Sequence, residues 1–122
     1  AGEIPCYKIT ENEYCLAFLD VSPLAEGHVL VVPKKEVDLL FDLPDLEYEE
    51  VNKLVKLVAK AIKEVIPCTR VGLAVIGLEV PHAHVHLVPI NNIGDLNFSK
   101  KRLELSPEKF GLIAKSIANC LK

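Results

Sequence analysis

The 122-residue sequence contains no methionine and no tryptophan, few aromatic residues and no excess of positive charge. The formal net charge is −3, so a polymeric nucleic-acid partner is not expected, because binding a phosphate backbone requires a basic surplus. Charged residues and prolines interrupt every apolar stretch, and the chain does not open with a basic and then apolar leader. These absences predict a cytoplasmic protein with no membrane segment.

The four cysteines are too widely spaced for a Cys-x-x-Cys zinc or redox motif, which favours free thiols in a reducing compartment. They are Cys6, Cys15, Cys68 and Cys120. A chain of this length fits one domain, here residues 1–122. Because even an initiator methionine is absent, we expect a processed chain or a missing short N-terminal segment.

The order of apolar patterns predicts strands, a helix, strands and a second helix. Strands are expected at 6–10, 14–21 and 28–33, followed by a long helix from Pro44 that Pro67 ends. Two more strands, 70–76 and 80–90, are expected around a tight turn at Gly77, and Ser106 and Pro107 open the last helix. The prediction is an α+β domain: an antiparallel sheet of about five strands with one long central helix and a C-terminal helix.

Three histidines alternate with apolar residues in the run from Pro81 to Pro89, at His82, His84 and His86. An extended strand would direct all three imidazoles to one face. Such a row suits proton transfer, nucleophilic attack or metal binding, whereas a merely solvent-exposed polar strand would not require three histidines in register. The residues alone therefore leave a metal-dependent hydrolase and a metal-free covalent mechanism open.

The run His82-Ala-His84-Val-His86-Leu-Val88 resembles the signature of the histidine triad (HIT) family of nucleotide hydrolases and transferases. Residues 2–5, 17–23 and 27–34 are similar to further family segments, in the family's order. The resemblance extends from the first residues to Ile90. It implies the HIT-like fold, no cofactor and no metal, a purine nucleotide or nucleotidyl conjugate as partner, and a homodimer.

The resemblance also implies roles for individual residues. His84 matches the nucleophile that attacks the α-phosphorus and forms a transient nucleotidyl-histidine. His82 and His86 match the flanking pair that orients it and assists the leaving group, and His28 matches a further histidine near the site. Asp20 matches the acid that binds the ribose hydroxyls, and the apolar base pocket is matched by Ile4, Phe18, Leu19 and Val21.

The implied activity is hydrolysis of nucleoside 5′-phosphoramidates or related conjugates to the nucleoside monophosphate. A diadenosine polyphosphate hydrolase and a nucleotide-binding module with little turnover are the alternatives. One segment departs from the family pattern, because relatives have a longer glycine-rich loop with Asn, Gln and Ser or Thr before the triad, and this chain has only residues 76–80. Glu79 occupies the position of a hydroxyl that commonly contacts phosphate, so we expect Glu79→Ser to raise turnover if Glu79 points into the site.

The homodimer also has a motivation in the sequence. The apolar stripe of the long helix is wide enough to serve both the core of one subunit and a partner subunit.

Overall fold

The computed structural model describes residues 7–78 and 80–121. Its five strands form one antiparallel sheet in the order β1-β2-β3-β5-β4. The strands are β1 Lys8–Glu11, β2 Cys15–Leu19, β3 Val29–Pro33, β4 Arg70–Ala74 and β5 Val85–Ile90, and the helices are α1 Asp45–Val65 and α2 Pro107–Ala118. The predicted α+β fold is therefore confirmed, with element boundaries shifted by a few residues.

Strands β2 and β3 alternate between buried and half-buried residues, as expected for a sheet covered on one face. The buried side chains on the covered face include Ala17, Leu19, Val29 and Val31, and they share one core with the apolar stripes of both helices. The opposite face of the central strands carries Phe18, Leu30 and His86 in one cross-strand row. This second face contains the candidate site.

Helix α1 begins after Pro44, has Asp45 and Glu47 in its first turn, and ends before Pro67. Acidic residues at the N-terminus favour the helix through its dipole, and proline prevents its continuation. Most of the predicted stripe is buried within the subunit, at Val51, Leu54, Val55, Val58 and Ile62, whereas its last residue, Val65, is half-buried. These residues therefore pack in the chain's own core, and the homodimer stays a prediction.

The histidine-bearing strand differs from the prediction, because β5 begins at Val85 rather than at residue 80. Strand β4 ends at Ala74, which pairs with His86, so the described residues between β4 and β5, 75–78 and 80–84, have no cross-strand partner. The tight turn expected at Gly77 is thus replaced by a longer connection between Ala74 and Val85, although Gly77 does have a positive φ of 67°. In this connection the Ala83 N–H donates to the carbonyl of Val37, which lies in the loop between β3 and α1. Ala83 is therefore held by a loop and not by a neighbouring strand.

The turn before β3 requires a glycine at position 27. Gly27 has a φ of 91°, and a Cβ at this position would lie 2.7 Å from Cγ1 of Ile66, just beyond α1. Backbone conformation and space both exclude an ordinary side chain there. This turn leads directly to His28.

Three of the four cysteines, Cys15, Cys68 and Cys120, are free thiols, as the sequence predicts, and Cys6 lies outside the described residues. Among the residues that the structure describes, no helix is both long and apolar enough to cross a membrane.

Candidate active site

His86 lies on β5, on the face of the sheet away from the helices, and only 8% of it is exposed. Its ring packs edge-on against Phe98 and His84, with ring centroids 4.6 and 4.9 Å away. Its Nδ1 is 3.0 Å from Nε2 of His28, which is fully buried. The sheet thus brings the first histidine of the chain beside the last.

The hydrogen bonds of His28 determine which nitrogen of each ring bears a proton. Nδ1 of His28 accepts the backbone N–H of Leu24 at 3.0 Å, so the proton of a neutral His28 is on Nε2. That N–H donates to Nδ1 of His86, and the proton of His86 is then on Nε2. The pair therefore leaves His86 with one N–H donor that is not used by His28.

Both of these imidazoles are held in the neutral form. Burial, with the neighbouring histidine and Arg102 acting in the same direction, lowers the pKa of His28 to about 3 and that of His86 to about 4. Burial also raises the pKa of the Asp20 carboxyl above its usual range, against the opposing effects of the Ser22 N–H and Arg102. Oδ2 of Asp20 is 3.5 Å from Nε2 of His28.

His82 and His84 precede β5, so their orientation depends on local hydrogen bonds and not on the strand. Nε2–H of His82 donates to the Pro33 carbonyl at 2.9 Å, at the end of β3. Nδ1–H of His84 donates to the His82 carbonyl at 2.8 Å. Because a carbonyl can only accept, Nδ1 of His84 bears the proton and Nε2 of a neutral ring has a free lone pair.

His84 and His86 line an open cleft of about 620 Å³. Its polar residues are Asp20, Ser22, His84, His86, Ser99 and Arg102, and its other lining residues are Leu30, Ile76, Gly77, Leu78, Val80 and Phe98. A volume of this size is typical of small-ligand sites.

The other site residues predicted from the sequence lie in different parts of the molecule. His82 is hydrogen-bonded to the Pro33 carbonyl and is not one of the residues that line the cleft, and Leu19 belongs to the helix-side core. Phe18 is half-buried on the face that carries Leu30 and His86, and Val21 is exposed. Ile4 and Glu79 lie outside the described residues. The structure thus brings Asp20, His28, His84 and His86 together.

Sequence reasoning missed the wall formed by Phe98, Ser99 and Arg102. The guanidinium of Arg102 donates to the carbonyls of Ser22 and Phe98, and its carbon is 5.6 Å from the Phe98 ring centroid. These contacts hold a cation and an aromatic ring in the lining of the cleft, with the Phe98 ring packed against His86. The sequence offered no clear signal for them, because segment 91–105 also contains two lysines and four aliphatic residues.

Asp20, His28 and His86 are also the described residues best placed to hold a metal ion, with one donor atom from each within 4.8 Å of the others. Zinc would need the lone pair of His28 Nε2, and the proton would then have to move to Nδ1. That proton would face the Leu24 N–H, and two donors would oppose each other. The hydrogen bonding of His28 therefore does not fit a metal ligand.

The HIT domain family matches residues 1–93, which is more than half of the chain, so this chain belongs to the HIT family. The adenosine 5′-monophosphoramidase of Schizosaccharomyces pombe is 32% identical over 99% of this chain and 92% of its own length. An uncharacterized HIT-like protein of Borreliella burgdorferi is 33% identical, with coverages of 95% and 89%. A crystal structure of a hypothetical histidine triad nucleotide-binding protein from Sulfolobus tokodaii has a TM-score of 0.80 and 30% identity, covering 97% of this chain and 85% of that one. The predicted family and its fold are confirmed, and a nucleotide hydrolase is supported at the family level.

Proposed function

We propose that this protein hydrolyses nucleoside 5′-phosphoramidates or related nucleotidyl conjugates to the nucleoside monophosphate, through a nucleotidyl intermediate on His84. The observation that carries the proposal is the hydrogen bond from Nδ1–H of His84 to the His82 carbonyl. It leaves the lone pair of a neutral ring on Nε2 of His84, a residue that lines the cleft, and a neutral imidazole is nucleophilic without a strong base. The name of the S. pombe relative supports the same substrate class.

The reaction proceeds in two displacements at phosphorus. In the first, the Nε2 lone pair of His84 forms a bond to phosphorus, the phosphorus–nitrogen bond of the substrate breaks, and the leaving amine takes up a proton from solvent. In the second, water attacks phosphorus, the bond to His84 breaks, and the proton of water returns to solvent. The sum is conjugate plus water giving amine plus monophosphate, with His84 regenerated.

The remaining residues stabilise charge and position the reacting groups. We assign Nε2–H of His86 as a hydrogen-bond donor to the phosphoryl oxygens or the leaving nitrogen, because His28 fixes the proton there. The positive charge of Arg102 lies in the same cleft and favours an anionic substrate. The carbonyl of His82 orients His84, so His82 acts through its backbone.

Nucleoside recognition is proposed at the end of β2, where Asp20 lines the cleft. A carboxylate accepts two hydroxyl hydrogen bonds, which suits the two hydroxyls of ribose. Phe18 and Val21 remain candidates for contacts with a purine base, whereas the burial of Leu19 in the helix-side core does not support that role for it.

The decisive experiment incubates the protein with a panel of nucleoside phosphoramidates and dinucleoside polyphosphates, with and without a chelator, and identifies the products. We expect amine and nucleoside monophosphate, unaffected by the chelator. Turnover of the polyphosphates alone would favour a diadenosine polyphosphate hydrolase, and nucleotide binding without products would favour a nucleotide-binding module. Activity that is lost with chelator and restored by zinc would replace the covalent mechanism by a metal-dependent one.

A further inference from the structure

One wall of the cleft is formed by apolar side chains that are unusually exposed. Ile76, Leu78 and Val80 line the cleft and are 42%, 88% and 53% exposed. Neighbouring apolar side chains in contact with solvent on a soluble protein commonly mark a binding surface. The described residues of segment 75–80, namely Val75, Ile76, Gly77, Leu78 and Val80, carry no charged or hydrogen-bonding side chain.

The strand register places this wall and Asp20 on opposite sides of the histidines. Phe18, Leu30, His86 and Ala74 form one row across β2, β3, β5 and β4. Asp20 follows Phe18 by two residues and Ile76 follows Ala74 by two residues, but β2 and β4 run in opposite directions. Asp20 and Ile76 therefore lie on opposite sides of this row along the strand direction. The three inter-strand steps from β2 to β4 separate them by about 14 Å more across the sheet.

We infer that the apolar wall of Ile76, Leu78 and Val80 binds the leaving group of the substrate, and that this group is an aromatic or branched aliphatic amine. The inference rests on the proposed function and specifies its substrate class. A ribose on Asp20 fills the polar end of the cleft, and the reacting phosphorus lies at Nε2 of His84, between the two ends. The third part of the conjugate, the departing amine, is then directed toward the wall.

The wall excludes the alternative of a short or polar amine as the preferred leaving group. Water on exposed leucine, isoleucine and valine side chains is released only when an apolar group covers them, which favours such a group in proportion to the apolar area that it covers. An amine without an apolar part leaves these side chains in contact with water and gains no binding free energy from them.

The test compares two adenosine 5′-phosphoramidates whose leaving amines have similar basicity, phenethylamine and 2-methoxyethylamine. Similar basicity removes the chemical difference between the leaving groups, so the ratio of the two kcat/KM values reports recognition. We expect the phenethyl substrate to be favoured roughly 10-fold by the native protein. In Leu78→Ser and Ile76→Ser the ratio should fall several-fold toward one. Ile93→Ser is the matched control, because Ile93 is 96% exposed and does not line the cleft, and it should keep the native ratio.

Two results would overturn the inference. A native ratio near one would show no apolar preference. Equal losses for both substrates in Leu78→Ser, with an unchanged ratio, would place the nucleoside on the wall instead. If neither substrate is hydrolysed, the proposed function fails, and the inference is then judged by binding of the phenethyl and 2-methoxyethyl esters of adenosine monophosphate. Equal affinities of the native protein and the Leu78→Ser variant for the phenethyl ester would reject the inference.

Discussion

At the scale of single residues, the protonation pattern of the histidines determines which nitrogen can react. We expect His84→Ala to lower turnover by roughly three orders of magnitude, because the variant loses the covalent route, while nucleotide binding is retained. Rapid chemical quenching of the native protein during turnover, followed by mass spectrometry, should locate a nucleotidyl adduct on His84. Near-native rates in the variant, or an adduct on another residue, would contradict the assignment.

His28 is expected to act through His86, as a positioning residue. Gln at position 28 offers an amide N–H near the position of Nε2 and can still donate to His86, whereas Asn reaches only the position of Nδ1. His28→Gln should therefore keep most of the kcat that His28→Asn loses. The ring ¹⁵N shifts of His86 provide an independent readout: the proton should stay on Nε2 in the native protein and His28→Gln, and be distributed over both nitrogens in His28→Asn. Equal kcat values with unchanged shifts would refute the role.

The same two imidazoles make the fold sensitive to acid. In the unfolded chain each histidine is protonated below its ordinary pKa of 6.5, whereas burial lowers the pKa to about 3 for His28 and about 4 for His86 in the folded state. Their contribution to stability is complete above pH 6.5 and is lost as the pH falls toward these folded values. Urea unfolding should show the free energy of unfolding decreasing by about 1.4 kcal/mol per pH unit for each group below pH 6. His28→Gln should have a shallower slope, and an identical slope would show that His28 does not contribute.

At the scale of elements, α2 is held at its start by a single side-chain cap. Oγ of Ser106 accepts the backbone N–H of Lys109 at 3.1 Å, and Pro107 occupies the first helical position. Ser106→Ala should lower the free energy of unfolding by about 1 kcal/mol in urea titrations, because it leaves that N–H without its partner. Ser116→Ala makes the same chemical change within the helix, where alanine is the better helix former, and should cost nothing. A similar loss in both variants would show that the cap is not the cause.

The elements with strong periodicity were predictable, and the segments beside them were not. Helix α1 was expected to run from Pro44 to the proline at 67 and was found at Asp45–Val65, because spacing and proline both specify it. The alternation of histidines also fits a strand, but β4 ends at Ala74 and Pro81 has no N–H to donate, so residues 80–84 remain a connection. Arg102 could not have been singled out among 14 basic residues, since only the folded chain brings it to Ser22.

At the scale of the whole molecule, the homodimer remains a prediction, and most of the α1 stripe is already covered by the chain's own core. Strand β4 is an edge strand, and Leu73 on it is 51% exposed. Exposed apolar edges tend to pair, so we expect two copies to meet there. Light scattering at micromolar concentration should report a dimer for the native protein and a monomer for Leu73→Lys. Leu112→Lys, on the exposed face of α2, is the control and should remain dimeric, and a monomeric native protein would reject the prediction.

The missing side chain of Gly27 has a consequence for how variation in this protein is interpreted. Any larger residue there would strain the turn and collide with Ile66 beyond the end of α1, and His28 is the next residue along the chain. In a saturation-mutagenesis screen for activity, position 27 should therefore tolerate no substitution, although it does not line the cleft. An activity map of the sequence would place Gly27 among the active-site residues, when its contribution is to form the turn, packed against Ile66, from which His28 enters the site.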